Sequence, residues 1–205
     1  MNTNTKNIKK LIINQQLELD CKKIIKDFPL AYETYGALNK NKNNAILVFH
    51  ALTGDQFAAG INPITKREGW WSFAVGPGKA IDTNKYFVIC ANVLGGCMGS
   101  LGPKEINPKT NKIFGTTFPI ITIKDIVKAQ KFLLDYLDIK KLLSVVGGSM
   151  GGMQVLQFTS LFPNMTHSSI PIACSASHSA QNIALNELGR QAIMADPNWN
   201  KENST

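Results

Sequence analysis

Apolar and polar positions along the chain follow two different periods, and the points where one gives way to the other mark out the elements. "LELDCKKII" (17–25) and "FPLAYETYGAL" (28–38) alternate apolar with polar residues, as strands with one face in solvent do, and Gly36 with "NKNKNN" closes a turn. These two are expected to form an antiparallel opening hairpin, after a polar stretch, residues 1–16, that is expected to be loosely ordered. "NAILVFH" (44–50) and "KYFVICANVLGG" (85–96) lose the alternation, so they predict strands buried on both faces. Residues 60–78, rich in Gly, Trp and Pro, predict a structured loop with a short helix, and residues 97–119 carry no period at all. Thr122 stands as an N-cap before a helix with Asp125 in its first turn and Ile123, Ile126, Val127, Leu133, Leu134 and Leu137 on one face. "LLSVV" (142–146) predicts a further buried strand, followed by a turn and a helix that ends before Phe162-Pro163. "SSIPIAC" (168–174) reads as a strand and "SAQNIALNELGRQAIMADP" (179–197) as a helix.

Strands alternating with helices in this order indicate an α/β fold, specifically the first two-thirds of an α/β-hydrolase sheet, mostly parallel and flanked by helices. The turn after "LLSVV" decides the chemistry. Gly147-Gly148-Ser149-Met150-Gly151 fits the G-x-S-x-G nucleophile elbow, in which a strained serine is held at the tip of a strand-to-helix bend with its hydroxyl exposed. A hydroxyl attacks poorly until its proton is removed, and the oxyanion that forms needs donors already in place. In this architecture the donors are the backbone N–H of Met150, just after the nucleophile, and that of Leu52, in the loop "HALTGD" (50–55). His50 lies on the wrong strand for a base and is expected to support that loop. His167 and His178 read as solvated or structural, Asp55 as a loop residue and Asp196 as a helix-terminus residue. Only 56 residues follow Ser149 (205 − 149), so the strands that would deliver a triad acid and base have no place here. The chain is expected to be an incomplete domain, 1–205, lacking the lid and the last strands and leaving an edge and apolar faces exposed.

Composition removes other classes. With 44% apolar and 18% charged residues the chain suits one globular domain. Its net charge of +8 is diffuse, and Arg67 and Arg190 are its only arginines, so no nucleic-acid or membrane partner is expected. No apolar run approaches 18 residues and no signal-type apolar core opens the chain, which points to the cytoplasm. Cys21, Cys90, Cys97 and Cys174 form no metal-type doublet and are expected to be reduced packing residues, with no metal site.

Longer strings narrow the reading. "HALTGD", "GWW", "GPGKAIDTNKYFVICANVLGGCMGSLGP", "INPKTNK", "VVGGSMGGMQ" and "SAQNIALNELGRQAIMADPNW" together resemble the homoserine O-acetyltransferase family of methionine biosynthesis, over residues 37–199. The resemblance implies ping-pong acyl transfer: Ser149 takes an acetyl group from acetyl-CoA, and the hydroxyl of L-homoserine then takes it from the serine. It implies no permanently bound cofactor, acetyl-CoA and L-homoserine as small-molecule substrates, and a homodimer in the full-length form. Family members continue into a helical lid, a triad Asp and His, and a substrate-carboxylate arginine, none of which has a matching position here; Arg190 matches a family position but is not assigned that role. The alternatives are a homoserine O-succinyltransferase of the same family, an esterase using water as acceptor, and an inactive fragment.

Overall fold

The computed structural model describes residues 8–199. Its centre is a six-stranded sheet of β1 (Lys10–Ile13), β2 (Phe28–Tyr35), β3 (Ala45–Phe49), β4 (Phe87–Ala91), β5 (Leu142–Gly148) and β6 (Thr166–Ile172). The spatial order is β1-β2-β4-β3-β5-β6. β1 and β2 pair antiparallel, as do β2 and β4; the joins β4–β3, β3–β5 and β5–β6 are parallel.

Every residue of β3 is buried, as its unbroken apolar run requires of a central parallel strand. Leu47 and Phe49 face one side, packing with Leu133 and Leu134 of α1 (Ile123–Tyr136) and with Val155 and Phe158 of α2 (Met150–Leu161). Ile46 and Val48 face the other, with Val88, Cys90 and Val146, and there the cover is loop: Ala58, Ala59, Trp70 and Trp71. Trp70 Nε1 donates to the Asp55 carbonyl at 2.9 Å and the two indoles stack at 5.3 Å, so the loop is tied down without a helix. The short helix expected within residues 60–78 is therefore absent. Turns there are followed by a parallel pairing of Val75–Gly76 with Ile81–Asp82, because Gly and Pro favour bends and the indoles supply the burial.

The opening hairpin is also corrected. "LELDCKKII" folds back on itself, Leu17–Glu18 against Ile24–Ile25, around a tight turn in which Lys22 has a φ of 66°. Besides β4, β2 pairs antiparallel with β1, inside the stretch expected to be loose, with Ile13 opposite Phe28 and both almost wholly buried. Of that stretch, residues 1–7 lie outside the described residues.

α1 carries the expected cap in full: the Thr122 hydroxyl accepts from the Asp125 N–H, and the Asp125 carboxylate accepts from the Thr122 N–H. Asp125 is buried, and its other oxygen accepts from the Asp20 N–H at 3.0 Å, which pins the folded-back segment to the helix. At the far side the sheet stops being covered. Past Thr166 every residue of β6 is exposed, and α3 (Ala180–Met194) buries no residue at all.

Candidate active site

β5 leads straight into α2, and the residue between them is Ser149, with φ 56° and ψ −122°. That is left-handed backbone that a non-glycine residue adopts only when its surroundings impose it. The Ser149 N–H donates to the Ile172 carbonyl at 3.0 Å, while its side chain makes no capping bond to α2 and is exposed. The flanking glycines have a measurable reason. A Cβ on Gly151 would stand 2.2 Å from the Phe49 carbonyl oxygen, and one on Gly147 would stand 2.6 Å from the Gly151 carbonyl carbon. A Cβ on Gly148 would meet nothing within 4 Å. Sterics thus demand glycine at the two fixed positions of G-x-S-x-G and leave the variable one free.

The close approach of Gly151 to Phe49 brings the end of β3, and the loop after it, against the elbow. His50 opens that loop and is 1% exposed. Its Nε2 accepts from the Val93 N–H at 3.1 Å, so the ring proton sits on Nδ1 and is donated to the Ala51 carbonyl at 2.7 Å. Burial lowers its pKa below the ordinary imidazole value, and the ring stays neutral. Leu52 follows at the tip of a turn closed by the Gly54 N–H on the Ala51 carbonyl at 3.0 Å. Beyond the turn, the Asp55 carboxylate accepts from the Phe57 N–H and from Asn62 Nδ2. Leu52 is 75% exposed, so its side chain holds nothing and only its backbone is placed. The loop of Leu52 and the helix start at Met150 thus meet at the same end of the sheet as Ser149.

A family profile described as the alpha/beta hydrolase fold matches residues 44–203. The chain belongs to the α/β-hydrolase family. It is 70% identical over 199 residues to the homoserine O-acetyltransferase of Pelagibacter ubique, covering 97% of this chain and 53% of that one. The crystal structure of a homoserine O-acetyltransferase from Bacillus anthracis superposes with a TM-score of 0.84 at 34% identity, over 95% of this chain and 54% of that one. An acetylester hydrolase from Corynebacterium glutamicum does so with a TM-score of 0.80 at 31% identity, over 96% and 52%. The chain spans about half the length of the curated relatives it matches.

The arrangement presents a strained, exposed serine at the turn, without a hydrogen-bonded base. Among the described residues no histidine bonds to Ser149: the His50 ring is committed to Val93 and Ala51, and His167 and His178 are exposed. Asp196 accepts from the Asn198 N–H, as a residue at a helix end does, and Arg190 pairs with Glu187 on the exposed α3. All four cysteines are free, but only Cys90 is fully buried; Cys97 is exposed, against the expectation that it packs. No cluster able to hold a metal occurs among the described residues, and no described helix is long and apolar enough to cross a membrane. The sequence reading did not single out Gln154 and Gln130, which are almost wholly buried and hydrogen-bonded to each other at 3.1 Å. No sequence signal marked them: that Gln154 shares a buried stripe with Gly151, Val155 and Phe158 is seen only in the fold.

Proposed function

We propose that these residues are the nucleophile-bearing half of a homoserine O-acetyltransferase. The observation that carries this reading is the 70% identity to the Pelagibacter ubique enzyme over nearly the whole chain, elbow and oxyanion loop included. Ser149 Oγ attacks the thioester carbonyl of acetyl-CoA, and the oxyanion is held by the N–H groups of Leu52 and Met150. The C–S bond breaks, CoA leaves as the thiol with the serine's proton, and acetyl-Ser149 remains. The γ-hydroxyl of L-homoserine then attacks that ester, O-acetyl-L-homoserine departs, and the proton returns to Ser149. The base that shuttles the proton, and the group that binds the homoserine carboxylate, belong to the part of the relatives' length beyond these residues. No cofactor is permanently bound, the compartment is the cytoplasm, and the product feeds methionine synthesis.

Acetyl is favoured over succinyl as the transferred group because the curated relatives at 54–70% identity are named acetyltransferases. The likeness to an acetylester hydrolase supports a second reading, with water as the acceptor. One assay separates them: CoA release by this chain joined to the second half of the Pelagibacter ubique enzyme, with and without L-homoserine. Acetyltransfer predicts release that depends on homoserine and is lost in Ser149→Ala. Release at an unchanged rate without homoserine assigns the hydrolase reading.

A further inference from the structure

We infer that Gln154, one turn into α2, is a positioning residue that sets the oxyanion loop against Ser149; this rests on the reading of Ser149 as the nucleophile. Gln154 is wholly buried. Its Nε2 donates to the His50 carbonyl at 3.1 Å and to the Met150 carbonyl at 3.3 Å, and its Oε1 accepts from Gln130 Nε2 at 3.1 Å. Carbonyls only accept, so the amide has one workable orientation, and the Gln130 donor at its other end enforces it. A buried amide is costly unless bonded, and an apolar side chain would pack in this stripe without that cost. The residue type is therefore explained by what it bonds.

What it bonds is the start of the oxyanion loop on one side and the start of the elbow helix on the other. His50 is where β3 becomes that loop, and its ring is separately held by the Val93 N–H. The Leu52 N–H is two residues on, in a turn whose far end is fixed by the Gly54 bond to Ala51 and by Asp55. With the His50 carbonyl held to α2, the turn has both ends anchored and a set distance from Met150. Beyond the β3–β5 ladder that ends at Phe49 and Gly147, this bond ties the start of the loop to the helix that carries the second donor.

The test uses this chain joined to the second half of the Pelagibacter ubique enzyme, so that the base is supplied, with two readouts: amide hydrogen exchange of a peptide spanning residues 51–57, with a β1–β2 peptide as reference, and the rate of Ser149 phosphonylation by a fluorophosphonate, read by intact mass. Gln154→Met keeps the length and much of the volume but carries no N–H or O–H to donate to either carbonyl. It is expected to speed exchange in 51–57 by about tenfold with β1–β2 unchanged. It is also expected to slow phosphonylation by about 10–100-fold, short of the roughly 10²–10³-fold for deleting an oxyanion donor outright. Gln130→Leu, which leaves the buried Gln154 Oε1 without its donor and so loosens the amide, should show the same pattern at about 3–10-fold and carries the test if Gln154→Met does not fold. Unchanged exchange in 51–57 in the folded variant overturns the inference. So does faster exchange with an unaltered phosphonylation rate, because Gln154 would then only support the fold. If the unsubstituted chain is not labelled, or Ser149→Ala is labelled equally, the nucleophile reading falls and this inference with it.

Discussion

Ser149 and its two glycines show how little room the elbow leaves. The Gly151→Ala methyl would lie 2.2 Å from the Phe49 carbonyl oxygen, so the strand and helix must part to admit it. A loss of at least about 1–3 kcal/mol is expected in urea unfolding. Gly148→Ala, whose methyl meets nothing within 4 Å, should stay within about 0.5 kcal/mol of the parent. Equal effects would contradict the steric account. His50 makes a separate prediction in pH. Because burial holds its pKa below the ordinary value, the unfolded chain binds a proton that the folded chain excludes. The stability conferred by the neutral ring is complete above about pH 6.5 and is lost as pH falls below it toward the lowered folded value. The urea midpoint of the parent should therefore drop more steeply from pH 7 to pH 5 than that of His50→Gln, and parallel profiles would exclude the imidazole as the cause. The strained turn at Ser149 and the glycines at 147 and 151 were legible in sequence because sterics permit few residues there. Gln154 was not, because in sequence a bonded buried glutamine looks like any helix-forming residue.

At the scale of elements, the buried strands and amphipathic helices followed from their periods, and the irregular ones did not. α1 was legible down to its cap, since Thr122 and Asp125 satisfy each other across three residues. Asp125→Ala would leave the part-buried N–H groups of Asp20 and Thr122 both without their acceptor, and a loss of about 2 kcal/mol is expected. Thr122→Ala, which removes the cap and an exposed bond to the Asp20 carboxylate but leaves the Asp20 N–H bonded to Asp125, should cost about 1 kcal/mol. An Asp125 effect no larger than that of Thr122 would show that the Asp20 contact adds nothing. β1 escaped the sequence reading because four residues of mixed polarity carry too weak a period. Its place is set by pairing with β2, a long-range contact that no local pattern reports. The loop over the second sheet face was misjudged for a related reason: Trp70 and Trp71 supply burial without any helix.

For the whole molecule, the sheet is finished on one side and open on the other. Ile170 and Ile172 on the edge strand β6, and Ile183, Leu188 and Ile193 on α3, are between 42% and 67% exposed. Such a surface associates. Light scattering of the purified chain should give a mass above 22.5 kDa that rises with concentration, and Ile170→Lys with Leu188→Lys should bring it down toward the monomer. A parent chain that stays monomeric at high concentration would contradict this. The exposed edge and apolar faces expected from the sequence are found on β6 and α3.

The central claim is that Ser149 carries the acetyl group. Its most direct test is intact and peptide mass spectrometry of this chain joined to the second half of the Pelagibacter ubique enzyme, after brief exposure to acetyl-CoA. One acetyl group on the peptide containing Ser149, absent in Ser149→Ala and removed by L-homoserine, is the predicted result. No acetylation, or acetylation that persists in Ser149→Ala, would contradict it.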